Sequence, residues 1–148
     1  MKRRRGSMIL IVGLLVALVA AVGVVRISLD AEKRIFSMVK EREVVYEQAA
    51  HQLLEDGEVI EVEDIESVYV FTGEHNMVEF MVDGDGLIPP AQYYGFYYSP
   101  DDVPLAFQNV KVPLTEYKEN EWEWTEEGDN HGVTKKITEC WYYFEAWL

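Results

Sequence analysis

Met8 to Val25 is an unbroken run of 18 apolar residues, and it constrains the chain more than any other stretch, because no polar side chain interrupts it to make a wettable face. As a helix it reaches about 27 Å, close to the hydrocarbon thickness of a bilayer. Its glycines, Gly13 and Gly23, are tolerated in membrane helices. Lys2, Arg3, Arg4 and Arg5 stand directly before the run and only Arg26 directly after it. The excess of positive charge on one flank places the N-terminus in the cytoplasm. The expected layout is a cytoplasmic stub over 1–7, a transmembrane signal anchor over 8–25 and an extracytoplasmic domain over 27–148. The rival reading is a cleaved signal peptide with a small-residue site at Ala21-Val22-Gly23, which would leave the domain secreted. Both readings export the domain.

Charge sharpens the division. All 27 acidic residues follow Arg26, against eight of the 13 basic ones. A domain this acidic repels phosphate backbones, which excludes nucleic acid as a partner class. It favours solubility and cationic partners. Cys140 is the single cysteine, so no intrachain disulfide is available and stability must come from packing.

From Asp30 to Asp56 the apolar residues Ile35, Met38, Val39, Val45, Tyr46, Ala49, Ala50, Leu53 and Leu54 recur at helical spacing. The opposite face is charged, Asp30 is a candidate N-cap, and Gly57 is placed to end the helix. Arg42 falls on the apolar stripe, and the seven-residue repeat does not continue across it. The stripe is therefore expected to pack on its own domain rather than on a second helix in a coiled coil. The succession of a basic stub with Gly6, an apolar helix, an amphipathic helix and strands resembles the layout of type IV pilin-like proteins over roughly the first third of the chain. That family carries a Glu five residues after its glycine, where this chain has Ile11, so the resemblance is one of architecture.

Beyond Gly57 the period changes to alternation. Glu58–Glu63, Ser67–Thr72, Met77–Asp83, Tyr93–Tyr98 and, between prolines, Ala106–Val112 read as short strands, the last at an edge. Glu119–Thr125 and Val133–Leu148 read as a long closing hairpin. Turns are expected at Gly73–Asn76, Asp83–Gly86 and Ser99–Asp102. A long helix followed by strands on short connections indicates an α+β domain, with a helix over 30–56 packed on one face of an antiparallel sheet of five or six strands spanning 58–148.

Aromatic residues are the most distinctive content, with 4 Trp, 9 Tyr and 6 Phe. Alternation puts Trp122 and Trp124 on one face of their strand, and Trp141, Tyr143 and Trp147 on one face of the last strand, whose two faces are both apolar as in a central strand. Most of these rings should form the core. A surplus row of Trp122, Trp124, Trp141, Tyr143 and Trp147, ringed by carboxylates, would instead make a platform on which sugar rings or peptides stack.

Catalytic and cofactor signals are missing. Asp83-Gly84-Asp85-Gly86 opens like a calcium loop but continues through Leu87 and Pro89-Pro90 with Tyr94 at the twelfth position, so a polar turn is expected. His51, His75 and His131 have no second ligand at zinc spacing. Cys140, read as mid-strand, should be a buried inert thiol. No catalytic, cofactor or metal residues are assigned. The sequence points to a non-enzymatic interaction or structural module of the cell envelope, anchored through residues 8–25 and facing a protein partner. A glycan- or peptide-binding aromatic platform is the alternative, and a carboxylate-dependent hydrolase ranks after both.

Overall fold

The computed structural model describes the backbone of residues 3–57, 61–85 and 91–148, and the side chains of 30–57, 61–84 and 91–148. The run Met8–Val25 lies outside the residues described with side chains. Among the described residues no helix is long and apolar enough to cross a membrane. The chain divides into two compact units, Met1–Lys33 and Arg34–Leu148. The first is helical backbone from Arg3, and the second holds the α+β fold.

Helix α1 spans Arg3–Asp56 and breaks at Arg42, whose φ of −124° and ψ of 20° are not helical. Asp30, expected as an N-cap, therefore lies inside helical backbone. Ile35, Val39, Tyr46, Ala49, Ala50 and Leu53 are buried, the one-sided stripe the spacing predicts. Val45 departs from it and is 51% exposed. Arg42 lies in line with the buried stripe, and the local break lets its guanidinium leave the core. It donates to Glu63 at 2.6 Å and to Asp64 at 3.5 Å, which avoids burying an unpaired charge.

The sheet has seven strands: β1 (Ser67–Phe71), β2 (Met77–Asp85), β3 (Gln92–Tyr98), β4 (Thr115–Lys118), β5 (Glu121–Thr125), β6 (His131–Thr138) and β7 (Trp141–Trp147). Their order is β1-β2-β3-β7-β6-β5-β4, antiparallel throughout. Two of the seven strands, against an expected five or six, are ones the sequence does not mark as separate elements. The closing run Val133–Leu148 is two strands, because Glu139 and Cys140 turn the chain, with Cys140 at φ +63°. Thr115–Lys118 adds an edge strand before a second tight turn, at Glu119–Asn120, with Asn120 at φ +62°. The expected strand at Glu58–Glu63 falls partly outside the described residues, and its described part is irregular.

The helix covers the face of β2, β3 and β7 that carries Phe80, Phe96 and Trp141. Tyr46 sits among those rings at centroid distances of 5.8, 4.8 and 6.3 Å, and Phe36 packs on Tyr143 at 6.1 Å. Fully burying each large apolar side chain contributes about 1.5–3 kcal/mol, so this cluster supplies much of the stability that a disulfide-free domain needs.

The opposite face is covered too, which the sequence did not indicate. Residues 103–114, read in part as an edge strand at Ala106–Val112, form an irregular strap with one 3-10 turn at Phe107–Asn109. Its Leu105, Ala106 and Phe107 join Met77, Met81, Tyr97, Trp124, Tyr142 and Phe144 in a second core layer. Two side chains from the sheet hold the strap's backbone. The Tyr97 hydroxyl accepts from the Leu105 amide at 2.7 Å, and Thr134 donates to the Leu105 carbonyl at 2.8 Å. Gly95 makes room for this layer, since a Cβ there would run into the Phe80 backbone carbonyl oxygen and lie 2.7 Å from the Phe144 ring.

Candidate functional site

With both faces covered, most aromatic rings are consumed as core. Trp141 is 1% exposed, Tyr143 0% and Trp124 3%, so these three members of the expected platform are buried. Trp141 and Tyr143 lie beneath the helix. Trp122 and Trp124 lie on the strap side, where Trp122 is partly buried against the second core layer. The structure thus splits the expected row of five between two faces and leaves Trp147, half-buried at the end of β7, together with an edge of the buried Trp124, against open space.

That space is a groove of about 1030 Å³ where the β5–β6 connection meets the last residues of the chain, lined among others by Glu123, Trp124, Thr125, His131, Val133 and Trp147. Its construction follows from the register. His131 and Trp147 are direct cross-strand partners on β6 and β7, and their rings stack at 4.9 Å with planes 10° apart. The stack is fixed from behind, because His131 Nδ1 lies 2.7 Å from the Asp129 carbonyl oxygen. Gly132 also belongs to the lining: a Cβ there would lie 2.5 Å from the Glu145 carbonyl oxygen and 2.6 Å from the Trp124 ring, so only glycine lets the indole lie against β6. Glu123 and Asp129, both exposed, put carboxylates at the mouth of this largely apolar groove. Flat rings below and acceptors at the rim can hold an apolar group that carries hydroxyls or a cation. His131, read from the sequence only as a turn residue, is therefore a groove residue, and its pairing with Trp147 became visible only once the register was known.

Other groups with chemical potential are engaged structurally. Asp102, at φ +53°, accepts from the Cys140 amide at 2.8 Å and from Lys136 Nζ at 2.6 Å. The Tyr142 hydroxyl donates to the Asp102 carbonyl at 2.8 Å and lies 3.0 Å from its carboxylate. Burial opposes the Asp102 charge, but hydrogen bonds from Lys136, the Cys140 amide and Tyr142 outweigh it and hold the carboxyl below its usual range. This hub ties the Ser99–Asp102 turn to the turn between β6 and β7. Cys140 sits in that second turn, partly exposed, rather than mid-strand among rings as expected. Burial, and after it the charges of Asp102 and Glu139, push its thiol up, which disfavours the reactive thiolate.

His75 pairs with Asp101 at 2.8 Å on the surface, and His51 lies 3.3 Å from the Tyr98 hydroxyl. Glu79 is fully buried on the strap side of β2. One of its oxygens accepts from the Gln108 backbone amide at 3.0 Å, while the other has no partner among the described residues. Burial pushes this carboxyl up to about 7, against the opposing pull of the Gln108 hydrogen bond. Among the described residues no group of three or more His, Cys, Asp or Glu side chains is arranged to hold a metal ion.

Comparison with known proteins gives no match: no family model matches the sequence, and no curated protein or solved structure is significantly similar to it.

Proposed function

We propose that this chain is a single-pass, membrane-anchored protein that displays a non-enzymatic α+β interaction module on the far side of the membrane, and that the groove beside Trp147 is where the module recognises an envelope partner. The apolar run at 8–25 and its basic N-terminal flank support the anchor and its direction. The observation that carries the recognition reading is the groove itself, an aromatic-floored cleft with carboxylates at its mouth, in a domain whose other aromatic rings are largely committed to two core layers. Depletion of charge at the floor and a polar rim are the anatomy of a protein interface. The partner group that fits is an apolar or aromatic side chain next to a cation.

A photoreactive amino acid at Thr125, on the groove wall, tests this in cells. The reading requires crosslinking to one discrete protein, lost when Trp147→Ala is added. Diffuse crosslinking insensitive to Trp147 contradicts it. A second reading has support from the same stacked rings: sugar rings pack on flat aromatic faces, so a cell-surface glycan is the alternative ligand. A glycan array probed with the purified chain and its Trp147→Ala variant separates the two.

A further inference from the structure

The two edges of the sheet are built differently. β4, at one edge, is four residues long, carries Glu116 and Lys118, and has a register irregularity against β5. Those are the usual guards against edge-to-edge pairing. β1, at the other edge, reads Ser-Val-Tyr-Val-Phe, with no charge and no proline, and pairs with β2 in unbroken register. Tyr69 is 47% exposed and Val70 37%, and among the described residues no strand pairs with the outer side of β1. A regular, uncharged, β-branched edge is a template for another strand.

The surroundings of β1 select the occupant. Glu61, Glu63, Asp64 and Glu66 precede it and Glu74 follows it, all exposed, and Arg42 offsets only part of this charge through Glu63 and Asp64. A second copy of the chain is disfavoured by these residues. Antiparallel self-pairing centred on Tyr69 sets Asp64 opposite Glu74, and parallel pairing sets Glu66 beside its own copy, both like-charge juxtapositions that destabilise a sheet. We propose that the outer edge of β1 docks an extended, basic segment of another protein, which joins the sheet as an added strand with its Lys or Arg residues against Glu66 and Glu74. Main-chain hydrogen bonds supply the attachment, and the flanking carboxylates supply the choice of partner. This surface is separate from the Trp147 groove, at the other side of the sheet order.

The test uses the full chain in detergent micelles and fluorescence anisotropy with three short Val/Thr-rich probe peptides, one flanked by lysines, one by glutamates and one uncharged. Saturable binding of the lysine-flanked peptide, weakened by salt, is the expected result. Glu66→Lys with Glu74→Lys should weaken it by about ten-fold or more and transfer preference to the glutamate-flanked peptide. Val70→Lys should weaken it to a similar extent. The same cationic peptide, N-methylated at alternate amides so that it cannot donate to a sheet edge, should fail to bind. Failure of the lysine-flanked peptide to bind overturns the proposal. So does equal binding of the N-methylated peptide, which would reduce the attraction to bulk charge, and so does a dimer that Val70→Lys dissolves, which would assign the edge to a second copy.

Discussion

Replacing Glu79 by Gln should make the protein more stable at pH 8 and leave it nearly unchanged at pH 5. Glu79 is the fully buried carboxylate of β2, with one oxygen bonded to the Gln108 backbone amide and the other without a partner among the described residues. Its carboxyl is raised from the ordinary 4.5 to about 7 in the folded chain. Between those two values the folded state keeps a proton that the unfolded chain has released, so stability falls as pH rises through this window and levels off above the folded value. At about 1.4 kcal/mol per pKa unit, the ionised side chain costs the fold on the order of 3 kcal/mol at pH 8. Glutamine keeps the shape and the acceptor for Gln108 but buries an NH2 group without an evident partner, at a cost of about 1–2 kcal/mol. The net expected gain at pH 8 is therefore about 1–2 kcal/mol, becoming zero or a small loss at pH 5. Urea unfolding of the full chain in a non-ionic detergent, at both pH values and with unchanged m, measures it. The difference between variant and parent isolates Glu79 from general charge repulsion, which acts on both. If that difference is the same at pH 5 and pH 8, the buried carboxylate does not titrate in this window and the reasoning fails.

The covered state of the sheet makes two further expectations. Trp141→Ala should destabilise by about 3–5 kcal/mol in the same unfolding assay, because its ring is 1% exposed and touches Tyr46, Phe80, Phe96 and Tyr98, whereas Trp147→Ala should cost far less. Gly95→Ala should cost at least about 1–3 kcal/mol as an overpacked core substitution, because its Cβ would run into the Phe80 backbone carbonyl as well as the Phe144 ring; a thermal midpoint equal to the parent's would refute that reasoning.

The fold was legible where local chemistry and tertiary contacts agree. Ile35, Val39, Tyr46 and Leu53 mark the helix stripe by spacing alone, the two apolar faces of Trp141–Trp147 mark a central strand, and Gly73–Asn76 and Ser99–Asp102 carry their turns in their own residues. It was illegible where a turn lacks the usual residues. Thr138-Glu139-Cys140 contains no Gly, Asn or Pro, so β6 and β7 read as one strand. The Asn120 turn was hidden inside an alternating run. The strap at 103–114 misled for a different reason: the run Ala106–Val112 carries apolar residues because Ala106, Phe107, Val110 and Val112 pack on the sheet's face, without pairing with a strand. For the site, alternation correctly set Trp122 and Trp124 on one face of β5 and Trp141, Tyr143 and Trp147 on one face of β7. It could not say that those faces are opposite sides of the sheet, since that depends on register. Nor could it show that the strap buries one of them. The groove stack of His131 on Trp147 depends on that same register.

Display of the module across the membrane is tested most directly by cysteine labelling in intact cells. In a Cys140→Ser background, single cysteines replace Ser7 in the basic stub and Glu127 in the exposed β5–β6 connection, and a membrane-impermeant maleimide is added before and after lysis. The account predicts that the cysteine at 127 reacts in intact cells, on full-length protein that sediments with the membrane, and that the cysteine at 7 reacts only after lysis. Labelling at 7 with protection at 127 would reverse the topology, and protection of both until lysis would place the domain inside the cell.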